Sequence, residues 1–136
     1  MISPTLETVR LFLHVLAASV WVGGQIVLAG LVPRVRRANR ELLPVIASGF
    51  ARIAWPAFAV AVITGVWNLL AVDPAAHGDA YMVTLLVKLL LVGTAAAATL
   101  VHSAGRSKLA LALGGAVGML ASLGVFWLGV ALAANG

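Results

Sequence analysis

The sequence predicts an all-α fold, an integral membrane four-helix bundle, from three observations. Of its 136 residues 62% are hydrophobic and only 10% are charged, more apolar surface than a soluble domain of this length can hide. Four apolar stretches, about 8–32, 43–72, 81–103 and 109–133, each reach the roughly 20 residues needed to cross a bilayer. Most of the charges fall in the short links between them. The chain therefore reads as one four-span domain over residues 1–136, expected in a cytoplasmic (inner) membrane of bacterial type.

The links set an orientation. Pro33-Arg34-Val35-Arg36-Arg37-Ala38-Asn39-Arg40-Glu41 and Gly105-Arg106-Ser107-Lys108 are basic, whereas Asp73-Pro74-Ala75-Ala76-His77-Gly78-Asp79 has two acids and neither Lys nor Arg. The positive-inside rule puts the two basic links in the cytoplasm and both termini outside. The net positive charge is thereby explained without nucleic acid. The first span has no basic n-region and no small-residue cleavage site, so a removable signal peptide is not expected.

The first span opens behind Ser3-Pro4-Thr5, where Ser3 or Thr5 can cap the helix and Pro4 suits its first turn. Its centre organises the chain. At about 100° per residue, His14, Ala17, Ala18, Trp21 and Gln25 share one face, and the rest is Leu, Val, Ile and Ala. An ionisable residue inside a membrane span is a functional hypothesis in itself, because lipid offers it no partner.

The second span carries Trp55-Pro56, where a kink is expected, and Thr64, Trp67 and Asn68 on one face. Arg52 lies near the inner boundary, where its stem can snorkel. In the third, Tyr81, Thr84, Lys88, Ala95, Thr99 and His102 form a stripe roughly 60° wide that should face protein, leaving Leu86, Leu90 and Val101 outside. The fourth has no strong polar group. Its Gly114, Gly118 and Ser122 have small-xxx-small spacing, which suits close helix packing, a flat ligand, a second copy or a larger membrane complex.

Counting about 1.5 Å per residue, His14 lies roughly 9 Å and Lys88 about 10 Å below the outer ends of their helices, with Thr64 and Asn68 at roughly 6–12 Å. These four define one polar layer in the outer half of the bilayer, and Trp21, Gly24 and Thr84 are expected to line the same site. Lys88 has no intramembrane carboxylate to pair with; the alternatives are snorkelling, a wet vestibule, or a ligand from outside. For His14 the alternative to ligation is a hydrogen bond to Asn68 or a backbone carbonyl. His77 reads first as a solvated loop histidine, and His102, beside Arg106 at the cytoplasmic boundary, as an interfacial group rather than a ligand. With no cysteine, thiolate metal sites and thioether-linked haem are excluded.

His14 followed by Trp21-Val22-Gly23-Gly24, then Thr64-Gly65, then Leu85-Leu86-Val87-Lys88-Leu89 resembles the CopD (copper-resistance D) family. A looser resemblance is to the four-helix, haem-binding class of protoporphyrinogen oxidases, which also have a histidine in helix 1 and a lysine in helix 3. Pro33-Arg34 lies further from Trp21 than those oxidases place the pair. Many CopD proteins are about twice as long, with this unit as one part.

The CopD resemblance implies copper handling or transport, with His14 the principal ligand and Met82 and His77 at the outer mouth. Copper(I) prefers Cys and Met, and no Met-x-x-Met pair is present. The second reading is a haem b redox protein or porphyrinogen oxidase, in which His14 and Lys88 are axial ligands or Lys88 meets a propionate; haem needs only one or two axial ligands and an apolar slot. The third is a non-catalytic accessory subunit docking through the glycine face and Trp127. No residue set demands catalysis, so an enzymatic role is expected less than binding or transport.

The orientation is checked by placing single cysteines at Ala38 and Ala76 and treating intact cells with a membrane-impermeant thiol reagent. Only Ala76→Cys should label; labelling of Ala38→Cys alone would invert the topology.

Overall fold

The computed structural model describes residues 3–135. Four α-helices, α1 (Leu6–Ala38), α2 (Leu43–Ala71), α3 (Asp79–Ala104) and α4 (Lys108–Asn135), make up nearly all of it, and no strand occurs among the described residues. All four are long and apolar enough to cross a membrane. They pair as two hairpins, α1 with α2 and α3 with α4, forming two compact units that meet in sequence between Val72 and Asp73.

Thr5 is the residue that starts α1. Its hydroxyl accepts from the Thr8 amide at 3.2 Å and Thr8 Oγ1 accepts from the Thr5 amide at 3.3 Å, so two end donors are satisfied reciprocally. Pro4 stands just outside the helix. The other end differs from the expected boundary near residue 32, because α1 runs on through Pro33 to Ala38. Proline removes one backbone donor; beyond it, Arg34 Nη1 donates to the Gly30 carbonyl at 3.0 Å. The 33 residues of α1 span about 50 Å against a hydrocarbon slab of about 30 Å, so its arginine-bearing turns need not be apolar. Arg36 and Arg37 sit in the last turn, where cations complement the helix dipole. Much of the expected basic loop is thus helix, and the true link is Asn39 plus a 3-10 turn, Arg40–Leu42.

Inside this hairpin Trp21 (5% exposed), Val22 and Ala54 (1% exposed) form the core, flanked by Phe50, Trp55 and Phe58. The Trp21 ring lies 5.4 Å from Trp55 and 4.6 Å from Phe58, separations at which aromatic pairs contribute about 0.5–1.5 kcal/mol beyond area burial. Pro56 sits within α2 without ending it. Gly24 faces the Phe50 ring so closely that a Cβ would overlap it.

Between α2 and α3, Asp73 Oδ1 accepts from the Ala75 amide at 3.1 Å and a 3-10 turn spans Pro74–His77. Gly78 then reverses the chain at φ 86, a conformation glycine adopts without a Cβ clash.

The α3–α4 contact follows the expected stripe. Leu85, Ala95 and Ala98 are buried, whereas Leu86, Leu90 and Val101 are 53%, 71% and 51% exposed. Lys88 meets Gly129, Leu91 meets Gly124, Thr99 meets Gly118 and His102 meets Gly115, an antiparallel register. His102 Nδ1 donates to the Leu111 carbonyl at 2.5 Å, so this histidine ties the two helices together at their linked end. Hydroxyls elsewhere fold back on the preceding turn: Ser122 Oγ to Gly118 O at 2.7 Å and Ser103 Oγ to Thr99 O at 2.8 Å, which hides a donor in an apolar setting.

The α4 backbone comes close to that of α3 at Gly114, where an added Cβ would stand 2.8 Å from both Ala98 O and His102 N. Those are backbone atoms and cannot swing aside. Gly114→Ala should therefore destabilise the protein by about 1–3 kcal/mol, more than Gly118→Ala, which meets the Thr99 hydroxyl. Gly93→Ala, with nothing within 4 Å, should be neutral or better. Thermal unfolding in mild detergent checks this order, and an equal response at Gly114 and Gly93 would contradict it.

Candidate functional site

The face of α1 that carries His14 packs against α2, and the two helices fix the imidazole from one side. His14 Nδ1 lies 2.9 Å from the Ala61 carbonyl and 3.0 Å from Thr64 Oγ1. A carbonyl only accepts, so Nδ1 carries hydrogen. Thr64, 3% exposed, donates its own proton to Val60 O at 2.6 Å, which leaves its lone pairs toward the imidazole. A neutral ring held this way carries its lone pair on Nε2. This is the tautomer in which histidine ligates metals, one ring N–H spent on a carbonyl and the other nitrogen presented to the ion.

Gly65 completes the cradle. A Cβ there would stand 3.3 Å from His14 Cε1, so glycine lets the ring lie flat against α2. Thr64-Gly65 thus works as a unit, one residue holding the ring and the next making room for it.

The other expected site residues are divided between the two units. Trp21 and Gly24 lie seven and ten positions along α1, about 10 Å and 15 Å away along the axis, and belong to the aromatic core opposite Trp55 and Phe50. Asn68 is one turn beyond Thr64, and its Oδ1 is buried with no hydrogen-bond partner among the described residues. Lys88, Thr84, Met82 and His77 belong to the second unit. There Thr84 Oγ1 donates to Ala80 O at 2.8 Å, and Lys88 Nζ lies over Gly129, 3.3 Å from where a Cβ would be. His77 Nδ1 donates to Asp73 O at 2.9 Å, and its ring stacks on Tyr81 at 4.7 Å. Met82 is half-buried on α3. Among the described residues no group of three or more His, Cys, Asp or Glu is placed to hold a metal ion.

Arg10 is a residue that sequence reasoning passed over. It is 8% exposed, its Nε has no hydrogen-bond partner among the described residues, and it lies 3.9 Å from the carboxylate of Glu7, itself well exposed. The signal was present: Arg10 precedes His14 by four residues, on the same helix face. The Ala61 carbonyl is a different case, since no side-chain pattern marks a backbone acceptor.

Compared with family models, curated proteins and solved structures, the chain gives no match.

The cradle predicts a specific coupling. Gly65→Leu should drive the imidazole off α2 and lower thermal stability, and adding His14→Ala should recover part of that loss. A double-mutant cycle of unfolding in detergent should give an interaction energy of about 1 kcal/mol or more. Strict additivity would mean that the ring does not rest on Gly65.

Proposed function

We propose that this chain is a multi-pass membrane protein, CopD-like in type, that handles copper through an intramembrane site built on His14. The observation that carries the reading is the hydrogen bond from His14 Nδ1 to the Ala61 carbonyl, which puts a ring hydrogen on Nδ1, so that Nε2 would be the nitrogen to meet a metal. In the orientation drawn from the basic links, this imidazole lies in the outer half of the bilayer. A site with an ordered imidazole and, among the described residues, no group of three or more His, Cys, Asp or Glu placed to hold a metal ion suits transient passage, because cargo must leave as readily as it enters. Copper is then substrate rather than resident cofactor, and the imidazole is a suitable ligand for it.

A second reading is favoured by one specific observation. The absence of a multi-residue ligand cluster among the described residues matters less for haem b, which is held by one or two axial ligands in an apolar slot. His14 Nε2 would supply one of them, and the iron would supply redox chemistry. The chain's own part would be to hold the imidazole in one tautomer.

The readings separate in one preparation. Wild type and His14→Ala are purified in mild detergent after growth with copper and haem supplied, then assayed for metal content and for a Soret band. Copper retained by wild type and lost from His14→Ala supports copper handling, and a Soret band lost in the same way supports haem. A full load on His14→Ala, or none on wild type, contradicts both.

A further inference from the structure

A pocket of ≈ 280 Å³ opens at the end of the α3–α4 hairpin, lined by His77, Ala80, Tyr81, Thr84, Ala131, Leu132 and Asn135. Its floor is apolar and its polar groups are committed in one sense. Thr84 gives its proton to Ala80 O at 2.8 Å, Asn135 donates Nδ2–H to Ala131 O at 2.8 Å, and His77 donates Nδ1–H to Asp73 O at 2.9 Å. Each bond consumes a donor inside the protein. What remains is rich in acceptors, namely Nε2 of a His77 ring whose hydrogen is on Nδ1, the Thr84 hydroxyl lone pairs and the Asn135 Oδ1 lone pairs, beside the second Nδ2–H of Asn135 and the Tyr81 hydroxyl, which can donate or accept.

A pocket in which acceptors outnumber donors favours a ligand that brings donors. The neighbouring charge agrees, because Asp73 and Asp79 flank the 3-10 turn and no Lys or Arg lies between them. The Tyr81 and His77 rings, stacked at 4.7 Å, add an aromatic wall, and aromatic faces attract cations. A bare metal ion is the poorer fit, since one histidine is the only strong metal-ligating side chain in the lining.

We propose that this pocket binds a small organic primary ammonium, with its –NH3+ group shared among His77 Nε2, Thr84 Oγ1 and Asn135 Oδ1 and its apolar body on Ala80, Ala131 and Leu132. The site is independent of the His14 reading.

The test is titration calorimetry of the full chain in mild detergent with 2-phenylethylammonium, using 2-phenylethanol and phenylacetate as neutral and anionic counterparts of similar shape. Saturable binding of the ammonium is expected, at least tenfold tighter than either counterpart. Thr84→Val keeps the shape and removes the acceptor, and His77→Phe keeps a ring on Tyr81 and removes Nε2. Each should weaken the ammonium by about tenfold to a hundredfold, the loss of one hydrogen bond to a charged group, with helical content unchanged by circular dichroism. Equal binding of the alcohol, no saturable binding, or full affinity in both variants would overturn the proposal. So would zinc or copper(II) alone binding at this pocket while the ammonium does not.

Discussion

An apolar surrounding supplies no hydrogen bonds, so every polar group carried into it must find its partner within the protein, at several kcal/mol for each failure. The contact between His14 Nδ1 and the Ala61 carbonyl answers that constraint, and the proposed chemistry depends on it. The bond needs a carbonyl not shielded by its own helix, a hydroxyl one turn on to share the proton, and a glycine beside it to admit the ring. Thr64 and Gly65 supply the last two. Further along the hairpin the Trp21, Trp55 and Phe58 cluster holds α1 and α2 in the register that brings His14 opposite Ala61 and Thr64.

The second hairpin meets the same constraint by other means. Its helices approach through glycines, with Gly114 against backbone and Gly118 against Thr99, and its hydroxyls return to their own helix. His102, at the linked end, donates across to Leu111 and so serves as a fastener. Two histidines in one chain therefore use the same bond, ring N–H to a carbonyl of the facing helix, for different ends: His102 joins two helices where they turn, and His14 lies half-buried between α1 and α2, toward the end away from their link.

Much of this was legible from residue order. The four helices followed from apolar length, and the exposed Leu86, Leu90 and Val101 followed from the polar stripe on α3. The end of α1 was misjudged because a proline followed by arginines reads as a loop, whereas a helix longer than the bilayer is thick carries such residues at no cost once it emerges. Thr64 was recognised as a site residue from its helical spacing, but its partner on the facing helix is a backbone carbonyl, which has no sequence signature. Arg10 was missed for another reason: near a helix start an arginine reads as a solvated charge, and that reading outweighed its place on the His14 face, where packing buries it.

The central claim is that His14 is held as the Nδ1–H tautomer with its lone pair on Nε2, and the most direct measurement is nitrogen NMR of imidazole-labelled protein in bilayers. His14 is assigned by loss of its signals in His14→Gln. The account predicts one protonated and one unprotonated ring nitrogen for His14 at neutral pH, with the proton on Nδ1 and hydrogen-bonded. A proton on Nε2 instead, or on both nitrogens, would contradict it and remove the basis for ligation at this residue.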